Sequence, residues 1–494
     1  MMMGAASRGL VVLVCLALVA GAHATKAKSD DFQKDLEALA EDIHQKYNAS
    51  FSLAVADLDG NVWPVAKGWA FADRADSGPM TTDSIFPAGS VTKPMTAVGI
   101  LQLVEDGELT LDTPVHEVLD EWLGERGPLS ALMPANNSMI NDVVVSELLN
   151  MQSGLPDYDQ DDIMDWVFES PDDTVTPFDY LAHANYNGSF LFAPGHSDGK
   201  AIYSGLGYIL AGFIMAAKQN VTWDKMDQTV IFDRLSDADA AVYSNIEFPM
   251  TQSCNEVSKD IVGQYRVSDL FAPDDADPSK LPFMNETFSW DPLLIHDGLN
   301  DANCGNGYTM GNVVISPKQA ARFWVDVMGG KLLNESSVEK MMNATGEKFY
   351  DAGGPHAPPR DQWKAMDMTA LGPGVVQDKH ARYGMGVTCG NMSFNPNIPL
   401  KAQKYTSCGH PGEDWGSAMF PGYIKELGVS TAYGMNVHGD VYNGGQNTSM
   451  TWNENNKLSD ELFSGLVKVI LKHKAPEDDK DGVKDVKRTR SADQ

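Results

Sequence analysis

The 494-residue chain is short of cysteine and of positive charge. It has 5 cysteines, none of them in a C-x-x-C pair, which argues against a structural zinc site. Lys and Arg total 37 against 68 Asp and Glu, for a net charge of −31. A surface of that sign repels phosphate groups, so nucleic acid and anionic membranes are poor partners. Composition thus disfavours two classes of partner and leaves the reaction open.

Several catalytic and binding motifs are also missing. The chain has no G-x-S-x-G elbow, P-loop or H-E-x-x-H, which disfavours α/β-hydrolase, nucleotide and zinc-protease interpretations. Asp157, Asp159 and Asp161 resemble the start of a calcium loop. However, Asp162 stands at the required glycine position and Phe168 at the closing glutamate position. No metal or organic cofactor is implied.

Long apolar runs are scarce, and the one that stands out lies at the N-terminus. The run 10–20 follows Arg8 and precedes the small residues Ala22 and Ala24, a pattern typical of a secretory signal peptide. We therefore predict a signal peptide over 1–24; the alternative is an uncleaved anchor. The run is too short to span a bilayer in the mature protein. We expect a secreted protein with no membrane anchor in the mature chain.

Asparagine sequons and the remaining cysteines agree with secretion. With Cys15 in the signal, four cysteines are left, which allow three disulfide pairings in an oxidising compartment. Pairing between sequence neighbours favours Cys254–Cys304 and Cys389–Cys408, and four buried thiols are the alternative. N-x-S/T sequons predict glycosylation at Asn48, Asn136, Asn187, Asn220, Asn285, Asn334, Asn343, Asn391 and Asn447.

Helix and strand patterns occur at both ends of the chain. Residues 31–47 predict an amphipathic helix, and Phe51, Leu53 and Val55 alternate as one face of a strand. Residues 90–106 predict a strong helix. Strand character returns from about 382, in the segments 384–388, 404–408, 418–423 and 429–436. A last helix has the stripe Leu462, Leu466, Val469 and Ile470, with Ser459 as its predicted N-cap.

These patterns predict an α+β fold. An antiparallel β-sheet, flanked by the N- and C-terminal helices, pairs early strands with late ones, and a mostly helical lobe is inserted between them. The predicted domain covers 25–474, with sheet parts at about 31–89 and 382–472 and a helical lobe at about 90–345. The charged tail 475–494 has few large apolar residues and is predicted to be disordered. We expect the active site in the cleft between the two parts.

Ser90 and Lys93 are the first candidates for chemistry. At i and i+3 on a helix they share a face, and a lysine in a poorly solvated cleft can activate a serine. The same spacing recurs at Ser197/Lys200 and Ser337/Lys340, so spacing alone is weak. The setting of Ser90, after Phe86-Pro87-Ala88-Gly89 and before a long apolar helix, singles it out.

The segment from Phe86 to Pro94, with the helix to Gly107, resembles the active-site helix of serine β-lactamase-like proteins. That group includes class C β-lactamases, D-peptidases of the penicillin-binding type and related esterases. Further landmarks follow in the family's order: Leu148 to Pro156, Ser316 to Phe323, and Gly409-His410-Pro411-Gly412. The resemblance runs from about Phe51 to Ile470. It implies the β-lactamase/transpeptidase-like fold, a small-molecule or peptide substrate, and Ser316 at a helix start in the helical lobe.

The family's second motif, Tyr-x-Asn, is altered here. The surroundings of Tyr203-Ser204-Gly205 match the family, but glycine replaces asparagine. A literal match, Tyr243-Ser244-Asn245, lies forty positions later. Context favours Tyr203 over Tyr243 as the motif tyrosine. Loss of the asparagine removes a polar contact to the substrate and the lysine, and puts β-lactam turnover in particular doubt.

A mechanism is implied by the resemblance. Ser90 attacks a carbonyl, while Lys93 and Tyr203 move the proton to the leaving group. The N–H groups of Ser90 and Glu413 hold the oxyanion, and Gly412 lets the strand approach the substrate. His410 stands where many relatives have lysine, and is expected to orient Tyr203 or to contact a carboxylate when protonated.

Three functions remain open on the sequence alone. The first is a secreted serine hydrolase that cleaves an ester or amide, including D-amino-acid peptides, through a Ser90 acyl-enzyme. The second is a catalytically silent glycoprotein that uses the fold as a binding or structural module, which the change at Gly205 favours. The third is an acyl-transferase with the same acyl-enzyme. Retention of Ser90, Lys93, Tyr203 and His410 together favours an enzyme.

Overall fold

The computed structural model describes most of the chain between the two termini. The described ranges are 29–47, 49–71, 78–133, 137–159, 175–251, 307–343, 382–392, 397–414, 417–438 and 452–476, with short pieces at 162–163, 166, 257, 260–263, 265–267, 295–297 and 348–350. Several predictions fall outside these residues: the signal peptide 1–24, all but two residues of the tail 475–494, Cys254, Cys304, and the sequons at Asn48, Asn136, Asn285 and Asn447.

The described helices are α1 (29–47), α2 (Thr92–Glu105), α3 (Val115–Leu123), α4 (Val145–Leu149), α5 (Pro177–Ala182), α6 (Gly205–Gln219), α7 (Asp237–Ala240), α8 (Tyr308–Gly311), α9 (Pro317–Met328), α10 (Glu335–Met342) and α11 (Trp452–Lys474). The described strands are β1 (Phe51–Asp57), β2 (Val62–Lys67), β3 (Phe86–Pro87), β4 (Lys200–Ile202), β5 (Tyr265–Val267), β6 (Ile295–Asp297), β7 (Val314–Ile315), β8 (Lys348–Tyr350), β9 (Arg382–Tyr383), β10 (Thr388–Asn391), β11 (Thr406–Gly409), β12 (Gly412–Glu413), β13 (Ala418–Met419), β14 (Gly422–Ile424), β15 (Val429–Met435) and β16 (Val437–His438).

An antiparallel sheet joins the two ends of the chain, as predicted. Strand β1 pairs along its whole length with β15, and β2 covers its other edge. The far side of β15 is shared: β14 pairs with its first half and β13 with its second half. Strands β11, β10 and β9 continue from β14, while β12 continues from β13. The sheet therefore divides into two branches, and the shorter branch ends at Gly412–Glu413.

Alternation of large and small side chains on β1 places helices on both faces of the sheet. Phe51, Leu53 and Val55 pack in one core with α1 and α11, which confirms the predicted face. Ala54 and Ala56 belong to the core on the opposite side. Helix α9 packs there against β1 and β15, because the alanines let its backbone come close. The prediction that Ser316 begins a helix of the helical lobe is therefore wrong, since that helix covers the sheet.

Three local predictions also need correction. The segment 384–387 is a turn between β9 and β10 rather than a strand. The predicted strand 418–423 is broken into β13 and β14 around Phe420 and Pro421. Ser459 is not an N-cap: α11 begins at Trp452, and the Ser459 hydroxyl lies 2.8 Å from that of Tyr433. Polar residues within a helix can bond to a neighbouring strand in this way, which sequence alone does not reveal.

The helical part is built around α2 and α6, which pack on each other. Both are buried on most sides, so neither shows the one-sided apolar stripe of a surface helix. Within the described residues no helix is long and apolar enough to cross a membrane. The start of α2 faces the end of the sheet's short branch, and that junction contains the candidate site.

Candidate active site

Ser90 lies in the turn that leads into α2. The helix begins at Thr92, two residues later than predicted, and the turn is closed by the Val91 N–H on the Ala88 carbonyl at 3.1 Å. The Ser90 hydroxyl is only partly buried. Its Oγ accepts a hydrogen bond from Lys93 Nζ at 2.8 Å and lies 2.7 Å from the Tyr203 hydroxyl. The structure thus brings three of the predicted residues to one point.

Lys93 is buried, with 2% of its surface exposed. Its Nζ also donates to the Met310 carbonyl at 2.8 Å and lies 4.8 Å from the centre of the Tyr203 ring. Burial lowers the pKa of Lys93 to about 7, against the opposing effect of the Asp157 charge. A large share of Lys93 is therefore neutral at neutral pH and able to accept a proton.

The other two serine–lysine pairs lack this setting. Lys200 is exposed and follows Ser197 through a turn in which its N–H donates to the Ser197 carbonyl at 3.0 Å. Ser337 is buried in α10, but Lys340 points to solvent. Neither lysine is buried beside its serine, so neither pair reproduces the setting of Ser90 and Lys93. Burial of Lys93 therefore distinguishes Ser90 from Ser197 and Ser337, and residue spacing alone does not reveal that burial.

The two candidate tyrosines have different partners. The Tyr203 hydroxyl lies beside Ser90, whereas the buried Tyr243 hydroxyl donates to Asp326 Oδ2 at 2.8 Å. Asn245 of the literal motif accepts from Gln319 Nε2 at 2.6 Å. Tyr243 and Asn245 thus hold α9 in place. The geometry agrees with the choice of Tyr203 from sequence context.

Gly205 begins α6 directly after the site. A Cβ atom there would overlap the sulfur of Met310 and lie 3.2 Å from Asp157 Oδ1. The Gly205 N–H donates to that oxygen at 2.7 Å. Asp157 and Met310 therefore occupy the space beside residue 205. Sequence reasoning considered Asp157 only as a calcium ligand and missed its place here; its position directly after the Leu148 to Pro156 landmark was the available signal.

His410 is 4% exposed, and its environment differs from the one predicted. Nδ1 lies 2.7 Å from the Pro411 carbonyl, which only accepts, so Nδ1 carries the proton. Nε2 accordingly accepts from the Tyr383 hydroxyl at 3.1 Å. Burial and the Lys93 charge lower the pKa of His410 to about 3. The imidazole is thus neutral, and it meets Tyr203 ring to ring at 6.2 Å between centroids. The lowered pKa does not favour a protonated His410, and its contact with a carboxylate stays a prediction.

Tyr383 was not predicted as a site residue. It is completely buried on β9, directly opposite Thr388 of β10, and its hydroxyl binds His410. No motif marks it in the sequence, because its role depends on a strand pairing that brings β9 to the site. Tyr383 fixes the orientation of the imidazole from the side away from Pro411.

Gly412 and Glu413 lie against the Ser90 turn. A Cβ atom on Gly412 would overlap the Ala88 carbonyl oxygen and lie 2.8 Å from Ser90 N. On the other side, Gly89 has φ 47°, and a Cβ atom there would overlap the Glu413 carbonyl oxygen. Glycine at both positions therefore permits the two backbones to touch. This contact brings the backbones of Ser90 and Glu413 together, as an oxyanion hole requires.

Substituting Gly412 with alanine tests that contact. We expect the added methyl group to push β12 away from the Ser90 turn, and kcat/KM to fall by about 100-fold, as a displacement of about 1 Å does in preorganised sites. Gly78→Ala is the matched control, because a Cβ atom at Gly78 meets no atom within 4 Å. Circular dichroism checks that both variants are folded. Equal kcat/KM for the two variants would contradict the role assigned to this contact.

A disulfide joins Cys389 and Cys408, one of the two pairings expected from sequence order. The two residues are paired across β10 and β11. Cys408 lies one residue before Gly409, where β11 ends and His410 follows. Among the residues that the structure describes, no group of three or more His, Cys, Asp or Glu side chains is placed to hold a metal ion.

Comparison with known proteins agrees with this geometry. The sequence profile of the family described as Beta-lactamase matches residues 39–444. The chain belongs to the beta-lactamase family. The resemblance seen in the active-site helix is therefore confirmed across most of the chain.

Individual relatives of this beta-lactamase family member match in part. Penicillin-binding protein 4* of Bacillus subtilis (strain 168) is 27% identical over 205 residues, which cover 40% of this chain and 39% of that protein. The D-aminopeptidase of Brucella anthropi is 35% identical over 123 residues, 25% of this chain and 20% of that protein. The chain thus spans less than half the length of either relative.

A solved structure resembles the whole fold. D-amino acid amidase from Ochrobactrum anthropi SV3, complexed with D-phenylalanine, superposes with a TM-score of 0.58 at 17% identity and covers 88% of this chain and 99% of that one. This likeness confirms the predicted fold class of antiparallel sheet and helices.

Proposed function

We propose that this protein is a secreted serine hydrolase that cleaves a small ester or amide through an acyl-enzyme on Ser90. One observation carries the proposal: Ser90 Oγ lies 2.8 Å from a buried lysine and 2.7 Å from a tyrosine hydroxyl. Serine needs a neighbouring base to become nucleophilic, and a lysine whose pKa burial lowers to about 7 supplies one. A silent binding module has no physical need for a buried amine at a serine hydroxyl.

The proposed reaction has two steps. Neutral Lys93 and Tyr203 take the Ser90 proton as Oγ bonds to the substrate carbonyl carbon, and the same groups return the proton to the departing amine or alcohol as its bond breaks. The Ser90 and Glu413 N–H groups stabilise the oxyanion. Water then attacks the acyl-enzyme and its proton passes to Tyr203 and Lys93, which return it to Ser90 Oγ as the ester bond breaks, so that the acid leaves and the free serine is restored.

The substrate class that we propose to test first is amides of D-amino acids. The Brucella anthropi D-aminopeptidase, whose name points to D-amino-acid substrates, matches this chain at 35% identity over 123 residues. The chain covers only 20% of that relative, so the class is a starting point for assay. Acyl transfer is a second outcome of the same chemistry, since only the acceptor differs.

Secretion is part of the proposal. The acceptor asparagines that the structure describes, Asn187, Asn220, Asn334, Asn343 and Asn391, are all exposed. Oligosaccharyl transfer requires accessible asparagine, so these positions are compatible with glycosylation. The signal peptide predicted over 1–24 supplies the route.

The pH profile of the wild-type protein follows from Lys93. The neutral amine is the active form, so kcat/KM should rise with pH and reach half its plateau near the pKa of about 7. Below that midpoint the rate should fall about tenfold for each pH unit. His410, whose pKa is lowered to about 3, does not contribute to this limb. Measurement of kcat/KM from pH 5 to 9 checks this, and a rate that is flat across pH 6 to 8 would contradict it.

A substrate panel tests the proposed function. The purified protein is assayed with D- and L-phenylalanine amide, a p-nitrophenyl ester and a penicillin, each beside the Ser90→Ala variant. We expect turnover of an ester or amide that the variant lacks, and little turnover of penicillin because Gly205 lacks the polar side chain. Equal rates for both proteins on every substrate would overturn the proposal. Partition of the acyl group to added amine or alcohol instead of water would reveal a transferase.

A further inference from the structure

Asp157 is held firmly beside the site by backbone groups. Its Oδ1 accepts the Gly205 N–H at 2.7 Å and the Tyr158 N–H at 3.0 Å. Its own carbonyl accepts the Asn185 N–H at 2.8 Å. Gly205 is the first residue of α6, a helix of 15 residues, so the carboxylate lies at the positive end of the helix dipole. These contacts fix the Asp157 carboxylate at the N-terminus of α6.

The glycine at 205 is what allows this arrangement. Any larger residue would place its Cβ atom 3.2 Å from Asp157 Oδ1 and in overlap with the Met310 sulfur. Met310 in turn supplies the carbonyl that binds Lys93 Nζ. Residues 157, 205 and 310 therefore form one packed unit around the lysine. The absence of a side chain at residue 205 and the position of the Asp157 carboxylate are therefore linked, because a Cβ atom at residue 205 would crowd that carboxylate.

The groups that surround Lys93 are mainly neutral. The rings of Tyr203 and Tyr208 lie 4.8 and 5.9 Å from its Nζ, and neutral His410 is close enough for the Lys93 charge to lower its pKa. Asp157 supplies the negative charge that raises the pKa of Lys93 against the effect of burial. Burial raises the pKa of Tyr158, and the charges of Asp157 and of Asp414, which follows β12, raise it further.

We propose that Asp157 is a positioning residue of this active site. Its carboxylate occupies the space that Gly205 leaves open, and from there it sets the charge state of Lys93. In this role the carboxylate acts through the lysine and not on the substrate. The expected change in kcat/KM rests on the proposed function, because it requires turnover. The expected change in the protonation midpoint of Lys93 does not, because it is measured without substrate.

The test is the protonation midpoint of Lys93 in the full-length protein. Lysine labelled with ¹³C at Cε is titrated by NMR, and Lys93 is assigned as the resonance that Lys93→Met removes. In Asp157→Asn the amide oxygen can still accept both N–H bonds, while the charge is lost. We expect the midpoint to fall, so that one pH unit below the wild-type midpoint the neutral fraction of Lys93 rises about threefold. The acid limb of kcat/KM should move with it.

Asp159→Asn is the matched control, since it removes the same charge two residues away on the same loop and should leave the midpoint unchanged. If Asp157→Asn does not fold, Asp157→Ser removes the charge and keeps an oxygen acceptor. Equal midpoints in wild type and in a folded Asp157 variant would overturn the inference. The inference would also be overturned if Asp157→Asn left the midpoint of Lys93 unchanged and raised KM only for substrates that contain an ammonium group. Asp157 would then be a substrate-binding residue. Absence of turnover in the wild type would overturn the proposed function, while the NMR titration would still decide the role of Asp157.

Discussion

Ser90→Ala is expected to reduce kcat/KM by roughly 10⁵-fold or more, because removal of a covalent nucleophile removes the acyl-enzyme route and leaves only the residual effect of substrate binding and the oxyanion hole. The hydroxyl is the shared partner of Lys93 Nζ and the Tyr203 hydroxyl, so the variant removes the group that both are placed to activate. The variant should fold normally. Lys93 keeps its bond to the Met310 carbonyl, and only one small, partly exposed oxygen is lost.

A matched control comes from the chain itself. Ser197 has the same spacing to Lys200, but that lysine is exposed. Ser197→Ala should therefore retain wild-type kcat/KM. Thermal unfolding of both variants separates loss of activity from loss of structure. Full activity in Ser90→Ala would refute the assignment of the nucleophile.

Tyr203→Phe is expected to lower kcat by about 10² to 10⁴-fold, the usual contribution of a positioned proton-transfer group. The substitution keeps the ring, which faces Lys93 at 4.8 Å and His410 at 6.2 Å, and removes only the hydroxyl. Packing is thus retained, and the loss should appear in kcat with little change in stability. Steady-state kinetics and thermal unfolding measure the two effects.

Tyr243→Phe is expected to lower stability and to leave kcat nearly unchanged, the opposite of Tyr203→Phe. Its hydroxyl donates to Asp326, which also accepts from Arg322 Nε at 2.9 Å, so the variant leaves a buried acceptor with one donor fewer. We expect a loss of about 1 to 3 kcal/mol in the free energy of unfolding, with kcat nearly unchanged. A large fall in kcat at Tyr243 and none at Tyr203 would reverse the assignment of the motif tyrosine.

The parts of the fold and site that the sequence could predict are those encoded by local pattern. Alternation at Phe51, Leu53 and Val55 predicted that these side chains share one face of β1, because side chains in a strand alternate between faces, and the structure packs that face against the terminal helices. The setting of Ser90 and Lys93, with its order relative to Gly412, predicted which serine lies beside a buried lysine. Both predictions depend on neighbours within a few residues or on the order of landmarks.

The parts that the sequence could not predict depend on distant contacts. Lys93 is made a base by burial beneath Met310, more than two hundred positions away. His410 is kept neutral by burial and by the Lys93 charge, which lower its pKa, while Tyr383 and the Pro411 carbonyl orient its ring, and none of these contacts has a motif. In the sequence, Asp157 stands out only as part of an incomplete calcium-loop pattern. Its partner in the structure is the backbone N–H of Gly205, which residue types do not reveal. Burial and backbone partners arise from packing, which residue spacing does not record.

The central claim is that Ser90 is an acylating nucleophile, and mass spectrometry of the intact, deglycosylated protein after treatment with a fluorophosphonate tests it most directly. We predict a single adduct that peptide mapping places on Ser90, absent in Ser90→Ala and formed more slowly below pH 7, where Lys93 is protonated. No adduct on protein shown to be folded, or an adduct on another residue, would contradict the claim and favour a silent binding module.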